Sequence, residues 1–332
     1  MARGISRQLV VLLAAAAAYG QQIGPVSADS LRANLTFLAS DELEGRATPS
    51  AGLDKAADYI AAQFQTAGLL PASEGTYFQT APVRGASARN VAGLLRGSDP
   101  MFRESYIIVS AHYDHVGLAQ AGDDRIFNGA NDDASGTVSV IELAKALVSA
   151  KPKRSILFLT FFGEERGLLG SRYYAQHPLV PPEQTIAQLN LEQLGRTDAT
   201  NGPQVRGANL TGYDFSNLPA ILAAAAEPAG VRIWKDAASS DAYFGRSDNQ
   251  ALADLGIPAH TLSVAYDFPD YHKVSDTADK IDYGNMATVD RAIALGLLKL
   301  ASEATPPVWN EGYAAAQKYV EAGRKLHPAP TN

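Results

Sequence analysis

The chemistry of this chain rests on histidines and carboxylates placed at the ends of apolar runs. Ala111-His-Tyr-Asp-His115 closes the buried-strand pattern that starts at Tyr106, and Gly129-Ala-Asn-Asp-Asp-Ala-Ser-Gly136 follows it. Residues two apart share a face of a strand, so His112 and Asp114 are expected to point the same way. Asp114 would then accept a hydrogen bond from a metal-bound imidazole or orient a neighbouring ligand. The turn-forming cluster sets Asp132 and Asp133 at the mouth of the next helix. Further along, Gly163-Glu-Glu165 leaves one apolar run and Glu192 ends another. The loop Asp267-Phe-Pro-Asp-Tyr-His272 carries a further imidazole.

Each motif alone has an ordinary explanation. A His-x-Asp is more often a surface pair, and Asn-Asp-Asp commonly caps a helix. An acidic pair suits a helix dipole, and a strand-end glutamate is usually just solvated. Convergence is what separates them: His112, Asp132, Glu165, Glu192 and His272 all fall where a parallel sheet places its site. Two imidazoles and three carboxylates suit two zinc ions, one histidine each, with a carboxylate bridging. Two Zn2+ facing three carboxylates and one hydroxide leave such a site neutral. His177, His260 and His327 lack this setting, as does His115, which is a rival only because it flanks Asp114.

The elements that must hold these residues alternate. Ser27–Ser40 and Gly52–Gly68 have helical apolar spacing, and a polar loop joins them. Asn90–Leu95 and Ser105–Ala111 read as strands. Helix Ala134–Ala150, strand Ser155–Phe162, helix Leu168–His177 and strand Ile186–Leu191 follow. After them come helix Asn217–Ala229, strand Val231–Trp234, helix Asn249–Leu255, strand Pro258–Val264 and helix Asn285–Ala301. The pattern implies an α/β fold with a mostly parallel sheet between helical layers. Asn310–His327 is expected to form an amphipathic helix, and Pro328–Asn332 to be frayed.

Composition narrows the function. The 332 residues are 46% hydrophobic and 19% charged, which allows one large α/β domain or two small ones. A net charge of -7 offers no basic footprint for nucleic acid. The absence of cysteine excludes disulfides, thiolate metal sites and a cysteine nucleophile. No Gly-x-Ser-x-Gly elbow of a serine hydrolase is present. Met1–Gly20 reads as a secretory signal peptide, with Arg3 and Arg7, an apolar Leu9–Ala18 and a small-x-small end at Ala18-Tyr-Gly20. Its apolar run is shorter than the ~20 residues of a spanning helix. A secreted or periplasmic protein is expected, with no stable membrane insertion after cleavage.

In order and context, Ala111–His115, Gly129–Gly136, Gly163-Glu-Glu165, Asn190-Leu-Glu192 and Tyr271-His272 resemble the secreted di-zinc metallopeptidases of the aminopeptidase Y type, over roughly Leu31–Ala301. The resemblance implies a three-layer αβα, phosphorylase/hydrolase-like fold holding two Zn2+ and acting on peptides with a free N-terminus. It implies that Asp132 bridges the zincs, that His112 and Glu192 complete one, and that Glu165 and His272 complete the other. Glu164 resembles the general acid/base and Asp114 the support of the His112 region. The Asp132–Asp133 peptide resembles the family's cis bond. Tyr271 resembles the residue that steadies the tetrahedral intermediate, and Arg246 one that contacts substrate.

Two positions depart from the family pattern. Glu192 stands where Asp is commoner, which shifts the carboxylate but still allows coordination. Asn249 stands where relatives often carry His, and is expected to alter the pocket wall. Thr80–Arg89 is too short for an inserted protease-associated domain. The expected organisation is therefore 1–20 signal peptide, 21–305 a single catalytic domain and 306–332 a C-terminal helix or tail. Rivals on the same fold are a carboxypeptidase-like enzyme and a glutaminyl cyclase. A cyclase uses one zinc and does not need both His112 and His272. A non-catalytic binding ectodomain would have lost ligands, and none is missing.

Overall fold

Nine strands make one sheet in the computed structural model, which describes residues 23–328. They are β1 (Leu70–Pro71), β2 (Phe78–Val83), β3 (Ala86–Leu95), β4 (Tyr106–His112), β5 (Ser155–Phe161), β6 (Thr185–Glu192), β7 (Gly207–Leu210), β8 (Arg232–Trp234) and β9 (Ala259–Ser263). Their order is β1-β3-β5-β4-β6-β9-β7-β8, with β2 paired to β3. The central four, β5, β4, β6 and β9, run parallel, and antiparallel pairings flank them on both sides. The signal-peptide reading of Met1–Gly20 lies outside the described residues, as do residues 329–332 of the end expected to fray.

Alternation along the strands sorts the apolar core into two layers. Strand β4 sends Ile107, Val109 and Ala111 to one side, and Tyr106 and Ile108 to the other. Helices α1 (Ala28–Leu38), α2 (Ala51–Ala67), α3 (Gly136–Val148), α5 (Leu218–Ala226) and α8 (Tyr283–Ser302) supply the first layer through Leu31, Ile60, Val138, Leu222 and Leu297. Helices α4 (Leu169–Gln176), α7 (Asn249–Ala253) and α9 (Gln317–Leu326) supply the second through Tyr174, Leu252 and Tyr319. A one-turn α6 (Ser240–Tyr243) completes the set. The result is the expected three-layer αβα arrangement around a mostly parallel sheet. Helix α2 shows the local logic. Ser50 Oγ accepts from the Leu53 N–H at 3.0 Å, and Gly68 ends the helix at φ 87°.

Besides the short strands β1 and β7, which the sequence reading lacked, three features differ from it. Strand β2 joins β3 through Arg84-Gly85, both at positive φ as a tight hairpin turn requires, but Gln79 and Pro82 disguise it. The helix expected from Ala134 starts at Gly136, because residues 130–135 form a wider turn around Asp132 and Asp133. The C-terminal helix starts at Gln317 rather than Asn310. Before it, Trp309 is buried in the second layer and donates Nε1–H to the Gly256 carbonyl at 2.8 Å. Among the described residues, no helix is long and apolar enough to cross a membrane.

Candidate metal centre and active site

The carboxyl ends of the four central strands converge. Strand β4 ends in His112 and β6 in Glu192. Strand β5 turns away at Gly163, whose φ of 70° releases Glu164 and Glu165. The loop after β9 brings in His272, and the turn before α3 brings in Asp132. That turn is heavily bonded. Asp276 accepts the Asn131 N–H at 3.0 Å and the Asp132 N–H at 3.1 Å, while Asp133 accepts Gly136 N–H at 2.9 Å and Gln193 N–H at 3.0 Å. The Asp132–Asp133 peptide is cis. A Cβ at Gly136 would lie 2.4 Å from the Leu191 carbonyl oxygen, so only glycine lets α3 start against β6.

Behind the loops lies the fully buried Arg46. Its guanidinium donates to the carbonyls of Leu38, Tyr113, Asn128 and Gly129. Burial lowers its pKa to about 10, although Asp114 and Asp276 pull the other way. It thereby ties the chain that follows His112 to the chain that precedes Asp132. Nothing in its sequence neighbourhood singled it out.

Asp114 lies past the end of β4, so its relation to His112 is closer than a shared strand face. His112 Nδ1 is 3.2 Å from the Asp114 carbonyl oxygen and 3.5 Å from its carboxylate. The same carboxylate accepts the Glu164 N–H at 3.1 Å and the Thr48 hydroxyl at 3.2 Å. His112 Nε2 faces inward, 3.4 Å from Asp132 Oδ1, 3.9 Å from Glu192 Oε1 and 4.0 Å from Glu164 Oε2. On the opposite side, His272 Nε2 is 3.0 Å from Asp132 Oδ2 and 3.1 Å from Glu165 Oε1. Asp132 thus turns one oxygen to each group of side chains. Burial works to raise its pKa, yet the flanking His112 and His272 hold it below the usual carboxylate range. Burial pushes Glu164 well above that range, against the pull of His112.

His115, which the sequence reading kept only as a rival, also faces this cluster. The strand ends at His112, so alternation no longer governs the next residues, and His115 turns into the interior with no exposed surface. Among the described residues, the ligand atoms of His115, Asp132, Glu165 and His272 all lie within 4.8 Å of one another. Buried polar atoms without partners are costly. His115 Nδ1, Asp132 Oδ2 and Glu165 Oε1 are all in that state, which is what a cation held between them would relieve. Imidazole and carboxylate donors suit Zn2+.

A cavity of about 130 Å3 opens onto His112, Asp132, Glu164 and Glu192. Its remaining wall is Gln193, Thr211, Tyr243, Arg246, Ser247, Thr261, Tyr266, Asp267 and Tyr271, with no aliphatic side chain. Tyr271 is 40% exposed and stacks on His272 with ring centroids 4.1 Å apart. The Arg246 guanidinium lies 4.5 Å from the Tyr243 ring centroid. Asn249 does not itself line this cavity but bonds to Thr261, which does. It is buried behind the wall, accepting from the Thr261 hydroxyl at 2.8 Å and donating to the Phe244 carbonyl at 3.0 Å. Glu192 accepts from the Ser247 hydroxyl, which also takes a bond from Asn190 at 2.8 Å.

Fold and donor set together define an αβα protein with a carboxylate–imidazole centre at the carboxyl edge of its sheet. Residues 90–296 match the profile of Peptidase family M28, and the chain belongs to that family. A protein of Pyrenophora teres f. teres (strain 0-1) described as "Probable zinc metalloprotease" is 30% identical over 196 residues, covering 54% of this chain and 41% of that one. Leupeptin-inactivating enzyme 1 of Streptomyces exfoliatus is 26% identical over 254 residues, covering 74% of this chain and 50% of that one. The chain therefore spans half or less of the length of these curated relatives. The fold is similar to that of BSAP, a zinc aminopeptidase from Bacillus subtilis. The TM-score is 0.67 at 16% identity, over 88% of this chain and 98% of that one.

Proposed function

We propose that this protein is an exported zinc-dependent aminopeptidase, with 21–305 as its catalytic domain and 306–332 as a tail closing the second apolar layer. The observation that carries the reading is Asp132, which presents one oxygen to His112 and the other to His272. His112, Glu192 and Asp132 would hold one zinc, and Glu165, His272 and Asp132 the other. The chemistry two zinc ions would supply there is polarisation of a scissile carbonyl and a lowered pKa for an attacking water. Glu164 takes the water's proton and passes it to the leaving amine, work worth about 10²–10⁴-fold for a positioned acid/base. Asp114 fixes Glu164 through its backbone N–H. The Tyr271 hydroxyl serves the developing oxyanion, and Arg246 meets the substrate at the outer wall. Family membership and the zinc aminopeptidase named among the similar structures support the same reading.

The acidic surroundings also suit a substrate ammonium. Purified protein incubated with aminoacyl, N-acetyl-aminoacyl and C-terminally blocked peptides should release single residues from free N-termini, identified by product mass. Equal cleavage of acetylated peptides would replace this reading with an endo- or carboxypeptidase.

A further inference from the structure

His115 is wholly buried, and neither of its ring nitrogens makes a hydrogen bond. Its Nδ1 stands 2.9 Å from Glu165 Oε1 and 3.8 Å from Asp132 Oδ2, two buried oxygens that have no hydrogen-bond partner beyond the imidazoles around them. Both oxygens in turn approach His272 Nε2 at 3.1 and 3.0 Å. Donor atoms that crowd this closely, three of them with no hydrogen-bond partner outside the cluster, point at a common centre. The other side of Asp132 is sparser. His112 Nε2 has Asp132 Oδ1 and Glu192 Oε1 near it, and Glu192 Oε1 is already engaged by the Ser247 hydroxyl.

We propose that His115 is a metal-coordinating side chain, which makes the two metal positions unequal. His115, Asp132, Glu165 and His272 close one position with four protein donors. His112, Asp132 and Glu192 furnish only three and leave the other open. This inference rests on the two-zinc reading above but not on peptide hydrolysis. Four protein donors are the pattern of a structural zinc, and three are that of a catalytic one. Glu164, with Oε2 4.0 Å from His112 Nε2, stands on the open side, where an acid/base is useful. The position with two imidazoles fills first, and the position beside Glu164 fills second.

X-ray absorption at the zinc edge counts imidazole ligands directly. Metal-free protein given one equivalent of Zn2+ should show two imidazoles per zinc, and His115→Gln given the same should show one. Calorimetric titration should find the tighter step weakened by at least about 10²-fold in His115→Gln and the weaker step unchanged. Loss of a merely supporting contact also weakens metal binding by about 10–100-fold, so the imidazole count decides. One imidazole per zinc in the unaltered protein, or the same count in His115→Gln, overturns the proposal. Should circular dichroism show that metal-free His115→Gln is unfolded, the count in the unaltered protein is the deciding result. A two-imidazole site in a protein that cleaves no peptide keeps this assignment and removes the proposed function.

Discussion

Glu164 and Glu165 are adjacent, chemically alike and assigned different work. Glu165 Oε1 sits among His115, His272 and Asp132, whereas Glu164 Oε2 stands at the margin of the His112 side. Glu165→Ala should therefore lower zinc content and activity together. Glu164→Gln keeps shape and loses the titratable group, so both zincs should stay. Its kcat should fall by at least about 10²-fold with little change in KM. Zinc analysis beside steady-state kinetics checks this, and a Glu164→Gln protein that loses zinc would exchange the two assignments. At this scale the convergence of His112, Asp132, Glu164, Glu165, Glu192 and His272 was legible, because each lies at a strand's carboxyl end, in the loop after one, or at the start of a helix. His115 was not, since its inward turn depends on where β4 stops. Arg46, Gln193 and His272 also hold positive φ without being glycine, a conformation that no residue type announces.

His260 shows what an element needs besides hydrophobicity. It sits in β9 and joins that strand to the chain leaving β7, with Nδ1 2.8 Å from the Thr211 carbonyl and Nε2 2.6 Å from the Ser216 hydroxyl. Burial lowers its pKa to about 4, against the pull of the Thr211 carbonyl. An unfolded histidine titrates near 6.5, so the unfolded chain binds this proton first as pH falls. The stability His260 supports is present above about pH 6.5 and is lost progressively toward pH 4. Each tenfold difference in proton affinity between the two states is worth about 1.4 kcal/mol, so the loss is roughly 3 kcal/mol. Urea midpoints measured from pH 7 to 4, with chelator throughout, should fall more steeply for the unaltered protein than for His260→Gln; parallel curves would remove His260 as the cause. The central strands and long helices were readable because their apolar spacing is strong. Strand β7 was not, being four residues held by β8 and β9 rather than by its own pattern.

A cavity of about 600 Å3 lies beside Thr185, Ile186 and Trp309, near the amino end of β6 and away from the chemistry. Strand polarity, not cavity size, decides where the site forms, and polarity was legible from the alternation of helices and strands. What the alternation hid was the tail, whose Trp309 and Tyr319 are as much a part of the second layer as any helix between strands. The proposed export depends on residues 1–20. N-terminal sequencing of protein from its native host should start near Gln21, and a cytoplasmic form retaining Met1 would overturn it. Arg46 bears on the fate of the chain under the export proposed for it. Its four carbonyl contacts, with Asp276 beneath Asn131 and Asp132, hold the ligand loops together by hydrogen bonds among protein groups alone. Assembly can then run in a fixed sequence, with the chain folding first and taking up metal afterwards. A chain threaded unfolded through a membrane arrives without its ions, and this one would meet them with its loops already in place.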